Sequence, residues 1–303
     1  MATMHVDRAG RGLPRFGFAA LAGRTLGAIP PPAQVLFGIL SVQVGAAVAK
    51  QLFGAVGSVG TVALRIFFAA AVLLLIWRPS LRMDRRTWSV VLGFGVVLGV
   101  MNLCFYLALS HIPLGVAVTI EFIGPLTVAL IGSRRLVDGL WVLLAAGGVV
   151  LLTEGRGDLH LVGILLALAA GACWGLYILL GGALGRHTSE GTGLAVGMGV
   201  AALVTVPFGV INSGTALFSP SILILGALVA LLSSVVPYSL ELEALRRIPP
   251  RVFGILMSME PAVAAVVGLF VLHENLGVWQ WVAILCVVGA SVGATRTAKP
   301  RDK

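Results

Sequence analysis

Residues 108–140 have the sequence ALSHIPLGVAVTIEFIGPLTVALIGSRRLVDGL, and residues 244–276 have the sequence ALRRIPPRVFGILMSMEPAVAAVVGLFVLHENL. Superimposed without a gap, the two stretches align an Ile-Pro pair near the start and a proline near the middle, at Pro125 and Pro261. Each copy also carries an acidic residue shortly before that proline. The two acids are Glu121 and Glu260. A proline and a carboxylate are both costly within an apolar helical segment, so we expect function in this repeat.

The composition is that of an integral membrane protein. Of the 303 residues, 58% are hydrophobic and only 11% are charged, and the mean hydropathy is +1.04. A soluble domain carries about 25% charged residues, so this chain could not cover a water-facing surface. Apolar runs of about 20 residues, the length of a membrane-spanning helix, recur along the chain. The predicted fold class is therefore all-α, within a lipid bilayer.

About ten transmembrane helices with short connections are predicted. The approximate spans are 33–53, 58–77, 88–109, 114–132, 137–154, 160–182, 191–211, 220–241, 251–272 and 277–295. An N-terminal tail at 1–32 and a C-terminal tail at 296–303 flank them. The three cysteines lie far apart within apolar segments. They predict neither a metal site nor a disulfide framework, and they are interpreted as packing residues.

The basic residues predict the orientation of these spans. With the N-terminus in the cytoplasm, the inner segments hold eighteen of the 21 Lys and Arg residues, and the outer loops hold Arg156 alone. Lys50 and Arg65 fall within spans. This bias follows the positive-inside rule and places both tails in the cytoplasm. The net charge of +9 is thus explained without nucleic acid, which would require basic residues clustered on a soluble face.

The predicted orientation also implies that the two repeat copies cross the membrane in opposite directions. The first copy begins in an outer loop and runs inward, whereas the second begins in an inner loop and runs outward. The halves 33–154 and 160–295 therefore form an inverted repeat of five helices each, an arrangement typical of carriers that work by alternating access.

Glu121 is the first candidate for function. Its neighbours one turn away include Ala117 and Gly124, so another helix or a cavity can come close. Pro125 lacks an N–H group, so it kinks the helix and the carbonyl of Glu121 loses its usual partner; such a site needs water or protein around it. Two interpretations stay open. Glu121 is either a cavity-facing carboxylate for a proton or a substrate ammonium, or a member of a buried ion pair.

Two basic residues within spans are further candidates. Arg65 lies at a predicted depth similar to that of Glu121, roughly 10 Å from the outer end of its span. Arg65 either pairs with Glu121 or binds a substrate carboxylate. Lys50 lies nearer the outer end, where it either serves the site or extends to the headgroups.

The second repeat copy supplies Glu260, which lies near the middle of the membrane beside Ser258 on a methionine-rich helix that Pro261 is expected to kink. Methionine suits a cavity wall that adapts to ligands. Glu241 and Glu243 are interpreted as headgroup-level salt bridges with nearby arginines. Further polar or aromatic residues within spans either line a cavity or anchor helix ends. They are Asn102, Tyr106, Trp174, Tyr177 and Tyr238.

Four stretches of the chain resemble a known family. The stretches SVQVGAAVAKQLF (41–53), GTVALRIFFAA (60–70), AVTIEFIGPLTVAL (117–130) and FGILMSMEPAVAA (253–265) are similar to the EamA family of the drug/metabolite transporter superfamily, in its bacterial threonine/homoserine exporter branch. The resemblance covers 33–295. It implies an inner-membrane exporter of small amino acids driven by proton exchange, and it does not fix the substrate.

The leading hypothesis is a secondary exporter of small amino acids or related metabolites. No nucleotide-binding loop or catalytic signature is present in the sequence, so no cofactor and no enzymatic activity are predicted. A broader drug or metabolite exporter, a membrane enzyme and a non-transporting membrane protein are the alternatives. The sequence indicates no oligomeric state.

Overall fold

The computed structural model describes residues 29–79, 81–130, 136–154, 160–188, 191–248 and 250–297. These ranges are almost wholly helical and contain no strand, which confirms the all-α prediction. Most of the predicted N-terminal tail and the end of the C-terminal tail, 298–303, lie outside them. The helices are α1 (Pro31–Gln51), α2 (Phe53–Trp77), α3 (Arg85–Leu109), α4 (Leu114–Glu121), α5 (Ile123–Leu130), α6 (Leu136–Glu154), α7 (Leu161–His187), α8 (Thr192–Ser213), α9 (Pro220–Ala230), α10 (Val236–Arg247), α11 (Pro250–Met257), α12 (Glu260–Val271) and α13 (Val278–Thr297).

Within the described ranges, seven segments are long and apolar enough to cross a membrane, judged by length and composition. They are Pro31–Gln51, Phe53–Trp77, Arg85–Leu109, Leu161–His187, Thr192–Phe218, Val252–Val271 and Val278–Arg296. Three apolar helical segments are shorter: Leu114–Val128, Gly139–Gly148 and Pro220–Val235. Large apolar side chains point outward along these helices, and Leu203 and Ile211 are 76% and 79% exposed. Such an exterior suits lipid better than water.

The helix starts follow from local chemistry. Prolines occupy the first turns of α1 and α9, where the missing N–H would have had no partner within the helix. Asp84 caps α3, because its carboxylate accepts a hydrogen bond from the Thr87 N–H at 3.3 Å. Hydrogen bonding from Thr87 holds the pKa of the Asp84 carboxyl below its usual value.

Both repeat copies are interrupted shortly before their aligned prolines. The first helix ends at Glu121 and resumes at Ile123, and the second ends at Met257 and resumes at Glu260. Pro125 has no N–H to offer the Glu121 carbonyl. The backbone of α7 approaches this carbonyl closely, and a Cβ atom added at Gly171 would lie 2.7 Å from its oxygen. The interruption is therefore built against a glycine of a neighbouring helix.

A short π-helix, Leu231–Val235, separates α9 from α10. Its carbonyls accept hydrogen bonds from two other helices. Ser41 of α1 donates to the Leu232 carbonyl at 2.7 Å, and Arg65 of α2 donates from Nη2 to the Ser233 carbonyl at 3.2 Å. Such π turns are frequent at functional sites, and this one anchors the guanidinium.

The helices pack in pairs that are distant in sequence. The largest interfaces join α2 with α8, α3 with α7, α6 with α13, and α3 with α8, and α1 with α10 follows. At the centre, α4 packs against α12, while α5 packs mainly on α7 and α11 packs on α1 and α13. The two interrupted segments are thus joined through α4 and α12, and both of their other halves contact α13.

Candidate functional site

A cavity of about 230 Å³ lies beside the two helix interruptions. Its walls come from α1, α2, α3, α4, α7, α10, the π-helix and the α11–α12 segment. Three acids, Glu121, Glu241 and Glu260, line it together with one cation, Arg65. The volume is below the roughly 300–1,000 Å³ of pockets for drug-sized ligands, so the cavity fits a small polar molecule.

Glu121 is the last residue of α4, and it is 8% exposed. No side-chain hydrogen bond or ion pair is described for its carboxylate. Its neighbour Phe122, at the interruption, packs edge-on against Trp174 of the cavity wall, with ring centroids 5.5 Å apart. The described contacts therefore leave this carboxylate without a salt-bridge partner.

Glu260 begins α12 and is held from another helix. The Nε2 atom of Gln43, on α1, donates to Glu260 Oε1 at 3.1 Å. Both side chains are buried and both line the cavity.

Two hydrogen bonds position the Arg65 side chain. Its Nη1 atom donates to the Tyr106 hydroxyl at 3.3 Å, and its Nη2 atom donates to the Ser233 carbonyl. The guanidinium carbon also lies 5.4 Å from the centre of the Tyr106 ring, within range of a cation–π interaction. These contacts hold the guanidinium at the cavity wall.

Four buried polar atoms of cavity residues have no hydrogen-bonding partner in the described protein. They are Gln43 Oε1, Arg65 Nε, Ser233 Oγ and Glu260 Oε2. A buried polar atom without a partner costs about 1–3 kcal/mol, and native proteins contain few of them. Their concentration around one cavity indicates a site for a polar ligand.

Glu241 lies elsewhere than the sequence predicts. Headgroup-level salt bridges are expected for it, but its side chain lines the central cavity and approaches Gly38 of α1. The reason is that α10 packs along α1, which turns this face of α10 toward the centre. The side chain of Glu243 lies outside the described part of the structure.

The remaining predicted residues divide into two groups. Asn102, Trp174 and Tyr177 line the cavity, and Asn102 also donates to the Leu98 carbonyl of its own helix at 2.9 Å. Tyr106 and Ser258 are fully buried and are not among the lining residues. Ser258 instead bonds Ser291 at 2.7 Å and ties the second interruption to α13. The side chain of Tyr238 falls outside the described residues.

Lys50 is not a lining residue either. Its Nζ atom lies 2.5 Å from Glu274 Oε1 and donates to the Ile112 carbonyl at 3.3 Å. The second oxygen of Glu274 accepts the Leu114 N–H at 2.8 Å. One acid thus joins the end of α1, the α3–α4 connection and the α12–α13 connection.

Sequence reasoning missed three polar cavity residues, which are Gln43, Ser233 and Glu241 as a lining acid. A signal was present for the first, since an amide within an apolar span is costly unless it is bonded. Ser233 and Glu241 carry no such signal, because serines are common along helices and acidic residues are common near helix ends.

The sequence of this chain matches those of known transporters. The EamA-like transporter family matches residues 161–296. Threonine/homoserine exporter RhtA of Escherichia coli (strain K12) is 45% identical over 273 residues, covering 89% of this chain and 92% of that protein. RhtA of Salmonella typhimurium (strain LT2) is 46% identical over 269 residues, covering 88% and 91%. The chain belongs to the EamA-like transporter family.

As an EamA-like transporter of the RhtA branch, the chain is a multi-pass membrane protein. A solved crystal structure shares its fold, with a TM-score of 0.57 and 19% identity over 88% of this chain and 97% of the other. Because the match to the Escherichia coli RhtA covers 89% of this chain, it spans residues of both halves.

Proposed function

We propose that this EamA-like transporter is a secondary exporter of small amino acids, of the threonine and homoserine type, across the cytoplasmic membrane. The observation that carries the proposal is the central cavity, where one guanidinium and three carboxylates meet inside apolar helices. A zwitterionic substrate has one charge of each sign and matches such a lining. The names of the RhtA relatives support the same substrates.

Ten spans in two inverted halves are part of the proposal. The two interruptions fall at matched places, since Phe122 aligns with Ser258 in the ungapped superposition. The packing has a matching symmetry: the third span of each half, α3 or α9–α10, lies against the first span of the other, α7 or α1. The pairs α2–α8 and α6–α13 each join corresponding spans. This pattern supports a pseudo-two-fold axis in the membrane plane.

The proposal includes a direction and a coupling ion. The bias of basic residues supports cytoplasmic termini, and in export the substrate enters the cavity from the cytoplasm. Arg65 binds the substrate carboxylate through a charge-assisted hydrogen bond. Glu121, whose carboxylate has no described partner, takes up a proton from outside and releases it inside as substrate leaves the cell.

The Lys50–Glu274 pair acts as an outer gate in this scheme. In the proposed orientation, the pair and the Leu114 N–H lie at the outer end of the cavity. Below them α4 and α12 touch closely, because a Cβ atom added at Gly115 would lie 2.6 Å from the Ala265 Cα. Beyond the interruptions, α5 packs mainly on α7, and α11 packs on α1 and α13. This arrangement corresponds to a state closed outside and open toward the cytoplasm.

Flux measurements test the proposed function. Purified protein in liposomes is expected to take up labelled threonine and homoserine, and a pH gradient is expected to drive accumulation above the level reached without one. Protein-free liposomes and a protonophore serve as controls. Absence of flux for every amino acid, together with flux of structurally unrelated toxic cations, would instead indicate a broader exporter.

Cross-linking tests the gate. The three native cysteines are replaced by alanine, and cysteines are introduced at positions 50 and 274. A short, reducible thiol-reactive cross-linker then joins the two new cysteines. Transport is expected to fall to the background level on cross-linking and to return on reductive cleavage, because the outer end must separate in each cycle. The single-cysteine chains treated with the same reagent are the controls. Unchanged transport by fully cross-linked protein would refute the gate.

A further inference from the structure

The Gln43–Glu260 pair combines deep burial with unused hydrogen-bond acceptors. Gln43 is 1% exposed and Glu260 is 8% exposed. Their 3.1 Å bond orients the amide, since a reversed amide would turn its oxygen toward the carboxylate. Gln43 Oε1 and Glu260 Oε2 are then left without a partner among the described residues. Two acceptor oxygens of one bonded pair, beside the cavity, therefore lack a hydrogen-bond donor within the described protein.

The chemistry of these atoms selects the ligand group. Both are acceptors, so a complementary group must supply several hydrogen-bond donors. An ammonium group has three N–H donors, a positive charge and no acceptor, whereas a hydroxyl has a single donor and a carboxylate has none. Hydrogen bonds from an ammonium to a carboxylate are also charge-assisted. The pair thus suits an ammonium group better than any other part of a small metabolite.

A hydrogen-bond donor without an acceptor lies on another wall of the same cavity. Arg65 Nε is a buried donor without a partner, while the other two nitrogens of the guanidinium bond Tyr106 and Ser233. An available donor on α2 and available acceptors on α1 and α12 match the two charged groups of an α-amino acid.

We propose that the Gln43–Glu260 pair binds the substrate ammonium, so that Gln43 is a specificity-determining residue for α-amino acids. The assignment rests on the proposed function and deepens it. The assignment also gives the two acids different roles. Glu260 binds substrate together with Gln43, and Glu121 carries the proton.

Substrate exchange without a pH gradient tests this assignment, because exchange needs binding and the conformational change but no net proton movement. Liposomes loaded with unlabelled threonine exchange it for labelled threonine, and the KM is measured. Replacing Gln43 with Leu is expected to raise the KM by about ten- to a hundredfold, the effect of a lost hydrogen bond to a charged group. The matched control is Gln51→Leu, the same change at an exposed position at the end of α1, where the KM is expected to stay at the wild-type value.

A competition experiment separates recognition from a purely structural effect. The competitors are unlabelled threonine and 2,3-dihydroxybutanoate, which carries a hydroxyl in place of the ammonium. Wild-type protein is expected to prefer threonine, and the Gln43→Leu protein is expected to lose about tenfold of that preference. If Gln43→Leu is not recovered folded, Gln43→Asn, which withdraws the amide by one methylene, is expected to show the same loss to a smaller extent.

The outcomes are distinct. An unchanged preference in a folded Gln43 variant overturns the ammonium site and leaves the proposed function intact. Absence of threonine exchange by the wild-type protein overturns the proposed function and this assignment with it.

Discussion

Replacing Glu121 with Gln is expected to abolish proton-driven accumulation of threonine while leaving threonine exchange measurable. The amide has nearly the shape of the carboxylic acid, but it cannot take up or release a proton in this pH range. Glu121 lines the cavity, and no hydrogen bond or ion pair is described for its side chain, so the change removes no described structural contact. The loss should therefore appear in coupling more than in folding.

Two measurements on the same liposomes check this expectation. Accumulation is recorded with an imposed pH gradient, and exchange is recorded without one. The matched control is Asp84→Asn, the same carboxylate-to-amide change at the start of α3, outside the cavity, where asparagine still caps a helix well. Accumulation by Glu121→Gln at the wild-type level would exclude Glu121 as the proton carrier. Equal loss of exchange and accumulation would mean that it binds substrate instead.

Replacing Gly124 with Ala is expected to destabilise the protein more than any other single added methyl group near the site. The new Cβ atom would overlap the carbonyl oxygen of Gly171 on α7. The obstacle is backbone within a helix and cannot rotate away as a side chain would. Overpacking of this kind costs about 1–3 kcal/mol. The interruption between α4 and α5 would separate from α7, and the cavity wall that carries Glu121 would shift.

Thermal unfolding in detergent measures the effect. Gly124→Ala is expected to lower the midpoint by about 2–5 °C and to reduce transport. Gly182→Ala is the control, since it lies on the same helix as Gly171 and an added Cβ there meets nothing within 4 Å. Alanine is also the better helix former there, by about 1 kcal/mol, so its midpoint should not fall. Equal stability of the two variants would contradict the close approach of α5 and α7.

The proline positions show what local chemistry decides. The missing N–H of Pro125 and of Pro261 is a property of the residue itself, and interruptions lie just before both in the structure. Apolar run lengths likewise predict helix positions to within a few residues, because a span must match the thickness of the bilayer. Such features need no knowledge of neighbouring helices.

The contents of the cavity show what local chemistry leaves open. Gln43 and Glu260 are 217 residues apart, and Lys50 and Glu274 are 224 apart. Helical periodicity tells which residues share a face, but it does not tell which helix that face will meet. Arg65 and Glu121 are predicted to lie at similar depths in the membrane, but similar depth does not make two residues partners. In the structure the guanidinium bonds Tyr106 and the π-helix.

Composition, run length and proline act locally, so they suffice to predict a helical protein that lies in a membrane and is interrupted at two related places. The packing of helices that are distant in sequence brings Gln43 and Glu241 to the central acids and places Lys50 in an ion pair outside the cavity. Those partners depend on how closely helices approach. Close approach is set by contacts between small residues on different helices, such as Gly115 against Ala265 and Gly124 against Gly171, and no pattern within a single helix encodes them.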